Sequence, residues 1–273
     1  MLRALGWFVY PTLVLVLLLA ALGRRGHADS PPAPPPLPAP ERGLLGDIAP
    51  IDPAALVRVR RRHGPNVGTA FSVGDGGVWL TAAAPLQRCA HPAVLVNDLE
   101  GVAARADPGP GGRIAVLVSA RGAPALSLAA AAPRPGALAY APGFPRGRPG
   151  ELAVHLIGAR MLRSGRRGGA PAQTMVWAEM GRTEGLEESL TGLAGAPLLD
   201  GQGRVVGLVL GAAPRRGRIY AATPAELAAA LAAAKAPQPA QGAGATITSD
   251  VYGLAADALR RQLRVAPTAC IAP

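Results

Sequence analysis

From Leu56 to Ala222 the chain is a succession of short apolar runs, each cut off by Gly or Pro. The runs are Leu56–Arg60, Gly68–Val73, Val78–Ala82, Ala93–Val96, Gly101–Ala106, Ile114–Ser119 and Ala125–Leu128, then Ala137–Ala141, Leu152–Ile157, Thr174–Glu179, Ala196–Leu199, Val205–Leu210 and Ile219–Ala222. About a dozen strands, recurring roughly every 8–12 residues, predict an all-β barrel or sandwich. The boundary at Pro133–Gly136 divides them into two sets of similar size. Two small β-barrels side by side are therefore expected, over about 56–132 and 136–223, within a domain spanning 51–235. Aromatics make up only 4% of the chain, so the core must be built from Val, Leu, Ile and Ala.

Helices are expected only at the two ends. Thr223-Pro224 is a good helix start, since Thr caps the first N–H groups and Pro suits the first turn. It predicts a helix over Ala225–Ala234, closing the domain at 235. A Pro/Gly linker (236–246) leads to a C-terminal part (247–273) with a second helix over Asp250–Leu263 and a short tail. At the other end, Ala4–Gly23 contains no charged residue, and about 20 apolar residues suffice to cross a bilayer. Residues 1–23 are expected to be a transmembrane anchor; the alternative is a signal peptide cleaved after Ala21-Leu22-Gly23. Arg3 before the span and Arg24-Arg25 after it leave the orientation unspecified by charge. The linker 24–50 includes Ser30-Pro31-Pro32-Ala33-Pro34-Pro35-Pro36, an extended spacer because Pro locks φ and lacks an N–H.

The net charge of +11 permits binding to anionic surfaces. The basic residues are nearly all Arg, in short clusters such as Arg163–Arg167 and Arg215–Arg218, without interleaved aromatics. No specific nucleic-acid partner is expected. No His or Cys pair has metal-ligand spacing, and the Gly-rich pieces read as hairpin turns, so neither metal nor cofactor is expected. Two cysteines lie far apart: in a reducing compartment they would be unrelated, in an oxidising one they could pair.

Four motifs occur in order on this background. Gly68-Thr69-Ala70-Phe71-Ser72-Val73 precedes Val78-Trp79-Leu80-Thr81-Ala82-Ala83; Arg113-Ile114-Ala115-Val116-Leu117 follows. Then come Gly143-Phe144-Pro145 and the turn Gly192-Leu193-Ala194-Gly195-Ala196-Pro197, with a hydrophobic hairpin behind it. This series resembles the trypsin-like serine proteases over residues 56–225. The resemblance implies the double β-barrel of that family. Carried over by position, it puts the catalytic histidine at Ala84, the aspartate at Arg113 and the serine at Ala194. The mechanism needs a hydroxyl, an imidazole to take its proton and a carboxylate to hold the imidazole. A methyl group supplies none of these, so the expectation is a catalytically inactive homologue, a pseudoprotease.

The resemblance further implies an oxyanion hole built from the N–H groups of Gly192 and Ala194, and a specificity pocket with Glu188 at its floor. Ala196 replaces a glycine there, raising the expectation of a distorted turn if that position needs φ > 0. By the same resemblance to membrane-anchored bacterial members, Cys89 and Cys270 pair. The folded domain then lies outside the cytoplasm, in the periplasm, held by a single-pass anchor in the inner membrane. The implied role is binding a peptide or partner protein. Two alternatives stand beside it: an active peptidase with relocated groups, for which His91 and Ser189 are the candidates, and a basic module binding anionic lipid or polymer through its Arg clusters. His63, His155, Asp107 and Thr191 are expected in surface or loop roles.

Overall fold

A computed structural model describes residues 56–58, 67–97, 100–163, 171–186, 189–237, 239 and 244–271. The expected anchor, the proline-rich linker, His63 and Glu188 lie outside the described residues. Among the described residues no helix is long and apolar enough to cross a membrane.

The chain folds as two antiparallel β-barrels followed by two helices and a final strand. The first barrel uses β2 (Gly68–Gly74), β3 (Val78–Ala82), β4 (Pro92–Leu95), β5 (Glu100–Pro108) and β6 (Ile114–Ser119), with β1 (Leu56–Arg58) laid along β5. The second is closed by β7 (Leu138–Gly143), β8 (Gly150–Arg163), β9 (Pro171–Arg182), β10 (Pro197–Leu199), β11 (Val205–Ala213) and β12 (Arg218–Ala222). The run at Ala125–Leu128 forms no strand; Leu128 makes one isolated bridge to Val205.

The ring of barrel one is completed by the last strand of the chain. β13 (Val265–Cys270) sits between β2 and β4, pairing Val265 with Phe71 and Cys270 with Pro92. The residues read as a tail are therefore barrel wall. Pro267 falls in the half of β13 that pairs with β2 alone, since pairing to β4 starts at Thr268. That placement suits a residue with no N–H to donate.

Period-two alternation sorts the apolar side chains into three clusters. Trp79, Ala70, Val94, Leu117 and Ala266 fill barrel one. Leu152, Val154, Trp177, Leu198, Val209 and Ile219 fill barrel two. The opposite faces of β2, β3 and β6, with Phe71, Leu80 and Val116, meet Leu199, Leu208 and both helices in a third cluster between the barrels.

Helix α1 (Pro224–Ala233) starts as expected: the Thr223 hydroxyl accepts from the Glu226 N–H at 3.3 Å. It packs Leu227 and Leu231, both 0% exposed, into the inter-barrel cluster. Helix α2 (Tyr252–Arg261) lies on barrel two. Its Tyr252 ring stacks on Tyr140 with centroids 5.2 Å apart. Arg260 donates to the Glu151 carboxylate at 2.8 Å and reaches the carbonyls of Gly143 and Gly150. The C-terminal segment thus straps the barrels together, its helix held on the second and its strand inside the first. Cys89 and Cys270 form a disulfide, Cα–Cα 5.5 Å, across a sequence separation of 181.

Two expectations follow for stability. Closing so long a loop constrains the unfolded chain, so Cys89→Ser with Cys270→Ser should cost roughly 3–5 kcal/mol by denaturant titration, with reductant doing the same to the parent alone. Burial raises the pKa of Tyr252, reinforced by the Glu151 charge and Tyr140, and burial with the Asp250 charge raises Tyr140. Both folded-state values lie above the unfolded 10.0, so their contribution is complete below pH 10.0 and is lost as pH rises through the folded values. Unfolding followed against pH should show this alkaline loss, reduced in Tyr252→Phe.

Candidate functional site

The site is built where β2, β3 and the loop before β10 converge. Gly195 has φ +95°, and a Cβ there would lie 1.9 Å from the Thr69 carbonyl oxygen and 2.5 Å from Thr81 Oγ1. Only glycine lets this turn come so close to barrel one. The contact is fastened on both sides: Thr69 N–H donates to the Ala194 carbonyl at 2.9 Å, and Thr69 Oγ1 donates to the Gly192 carbonyl at 2.8 Å. Thr81 Oγ1 in turn donates to the Thr69 carbonyl at 2.6 Å. Sequence motifs contained both threonines, but their role as clasps emerges only from the packed barrels.

The turn itself is regular. Leu193 N–H donates to the Leu190 carbonyl at 3.0 Å, closing a four-residue turn with Gly192 in third place at φ +98°. Positive φ at that place is the requirement of a type II turn. The Thr191 carbonyl accepts from the Arg146 N–H at 2.5 Å. Across a trans peptide the N–H of Gly192 points the other way, away from the Phe144–Gly147 loop. Among the described residues neither the Gly192 N–H nor the Ala194 N–H has an acceptor. Ala196 is buried with φ outside the positive range, so the expected distortion by its methyl does not occur.

Ala84 opens a short 3₁₀ turn, Ala84–Leu86, directly after β3 and is exposed. The Ala83 N–H donates to the Arg113 carbonyl at 2.8 Å, joining the turn to the start of β6. Ala82 of β3 pairs with Ile114, and the Ala82 N–H would lie 3.0 Å from a Gly195 Cβ. The structure therefore gathers the loops carrying Ala84, Arg113 and Ala194 at one place between the barrels.

The Arg113 side chain is committed elsewhere. Its guanidinium engages the Glu226 carboxylate through Nε, at 2.9 Å, and Nη2. It also donates to Thr174 Oγ1 at 2.7 Å and the Gln173 carbonyl at 2.9 Å. Only 9% of this side chain is exposed, so the pair is nearly removed from water. Arg113 thereby ties barrel one to α1 and to β9. The Thr223-Pro224-Ala225-Glu226 capping pattern signalled the helix start; its service to Arg113 required the fold.

The other candidates are dispersed. His91 is exposed, and its carbonyl accepts from Ile271 N–H at 2.8 Å. His155 lies in β8, opposite Leu138 and Ala178. Ser189 and Thr191 hydrogen-bond each other at 2.9 Å on the surface. Asp107, expected in a loop, belongs to β5 and pairs with Arg105. Among the described residues no His, Cys, Asp and Glu cluster is arranged to hold a metal ion.

Two six-stranded antiparallel barrels with a glycine turn clasped between them define the architecture of chymotrypsin-like peptidases. The chain belongs to the trypsin-like peptidase domain family, which it matches over residues 68–208, just over half its length. Two crystal structures of the Rv3671c protease of M. tuberculosis share the fold. One, an inactive form, aligns with a TM-score of 0.51 and 23% identity over 62% of this chain and 88% of that one. The other, an inactive serine-to-alanine mutant, aligns with a TM-score of 0.51 and 22% identity over 75% of this chain and 98% of that one. No curated protein sequence matches the chain.

Removing one partner from a nearly buried ion pair leaves the other charge uncompensated. Arg113→Ala should therefore destabilise the fold by about 3 kcal/mol in urea titrations. Arg113→Asp should cost more, since it sets a second carboxylate beside Glu226. A double-mutant cycle with Glu226→Gln should return a favourable coupling between the two residues.

Proposed function

We propose that this protein is a catalytically inactive member of the trypsin-like family that holds an extended peptide or a partner protein in the cleft between its barrels. The observation that carries the reading is the fate of the three triad positions. Ala84 and Ala194 offer methyl groups, and Arg113 is spent on Glu226, Thr174 and Gln173. None of the three side chains at these positions can supply a nucleophile, a base or its orienting carboxylate. Loss of such a triad costs about 10⁶-fold in kcat. What persists is the backbone of the cleft: the N–H groups of Gly192 and Ala194, without acceptors among the described residues and taken here as an oxyanion-hole remnant. Beyond Val209, β11 offers a second feature. Its residues Gly211–Ala213 pair with β12, while pairing to β10 ends at Leu208. An open strand edge is a place where an extended peptide adds. The disulfide fits an oxidising compartment, in keeping with a domain held outside the cytoplasm by the N-terminal span.

The expected outcome is no labelling by a fluorophosphonate probe and no hydrolysis of casein. Ala194→Ser alone should remain unreactive, because position 84 carries alanine in place of the imidazole that would take the hydroxyl proton. Labelling of the parent that disappears in Ser189→Ala would establish a relocated nucleophile and overturn the reading.

A further inference from the structure

We propose that the outer edge of β8, from Gly158 to Arg163, is a docking strand that pairs with an extended acidic segment of a partner protein. The inference is independent of the cleft reading, which invokes none of these residues.

Strands β8 and β9 run past the neighbours that close their barrel. Pairing of β8 to β7 covers Gly150 to His155, and Leu156 adds backbone bonds to Gly136 and Ala137. Pairing of β9 to β12 covers only Met175 to Ala178. Past these limits Gly158–Arg163 and Pro171–Thr174 pair with each other alone, among the described residues. The register shift between Leu156 and Gly158 marks the change, since a bulge bends its strand.

The two sides of this ribbon differ. On β9, the Gln173 carbonyl and the Thr174 hydroxyl accept from Arg113, which is itself anchored on Glu226. The base of the ribbon is thereby fixed, which lowers the ordering cost of binding. On β8, no described strand lies along Gly158–Arg163, and the Ala159 carbonyl accepts from the neighbouring Arg160 guanidinium at 2.8 Å. An unpaired edge of this kind is a template for another strand.

The side chains select which strand. Ala159, Arg160, Met161 and Arg163 are exposed, Met161 to 65%. A second copy of this edge would add two more arginines to the same short ladder, and like charges oppose pairing. A lipid interior would leave the backbone groups of the edge without partners. An extended segment with carboxylates answers both demands: its backbone completes the ladder and its acids meet the two guanidinium groups. Apolar side chains alternating with those acids would cover Met161.

The test uses the full-length chain in a non-ionic detergent and a fluorescein-labelled octapeptide of alternating Val and Glu. Fluorescence anisotropy should show binding that weakens as salt is raised. A Val-Lys counterpart should bind about tenfold more weakly or worse. The same loss is expected for a Val-Glu peptide N-methylated at alternate residues, which keeps the charge and loses the donors of one edge. R160E/R163E should bind the Val-Glu peptide about tenfold more weakly, and R160Q/R163Q about threefold. Circular dichroism checks both folds, and the glutamine pair carries the test if the charge reversal fails to fold. R215E/R216E, next to the β11 edge, should bind as the parent does. Loss in R215E/R216E with none at positions 160 and 163 puts the peptide on β11, which supports the cleft reading and overturns this one. Equal binding of the N-methylated peptide shows a patch that attracts any anion, lipid headgroups included, and overturns the strand partner. Failure of the Val-Glu peptide to bind overturns the inference as well.

Discussion

Closure of barrel one by the C-terminal strand is the constraint on which the rest of this structure depends. A β-strand with an unpaired edge leaves a row of N–H and C=O groups without partners. Between β2 and β4 that row is satisfied by β13, which arrives only after barrel two and both helices. Barrel one therefore cannot complete itself from its own consecutive residues. The Cys89–Cys270 bridge fixes the end of that strand beside the turn following β3, and Arg260 fixes the helix before it on barrel two. The cleft between the barrels owes its definition to this strap.

Within the cleft, a small set of backbone contacts holds the glycine turn of the trypsin-like fold in place. Gly195 fits against the Thr69 carbonyl because it has no side chain, and the Thr69 and Thr81 hydroxyls lock that approach in place. These contacts run through main chain and threonine hydroxyls, not through the side chains of Ala84, Arg113 or Ala194. The turn is intact with alanine at positions 84 and 194, and the Arg113 side chain turns to Glu226 without disturbing it. Scaffold and chemistry are separable here because the scaffold's hydrogen bonds run through main chain and threonines.

Much of the fold was legible. Short apolar runs and their Gly/Pro punctuation marked twelve of the strands, from β1 to β12, and Thr223-Pro224 marked α1. The run at Ala125–Leu128 misled because Leu126 is buried and Leu128 half-buried without a ladder partner beyond one bridge. The strand β13 was missed because Val265-Ala266-Pro267-Thr268-Ala269-Cys270 is short, carries a proline and has little alternation. Its state is decided by a slot in a distant sheet, which no local pattern encodes.

The same division holds at the site. The sequence by itself determined the glycine turn, the order of the motifs and the identities at Ala84, Arg113 and Ala194, because these are properties of residue type and position. Only the tertiary structure decided that the Arg113 guanidinium serves Glu226 and Thr174, that Ala196 does no harm, and that two N–H groups have no acceptor among the described residues. Those facts depend on the directions of bonds between segments more than a hundred residues apart in some cases, such as Thr69 and Gly192, and directions are fixed only when the barrels pack.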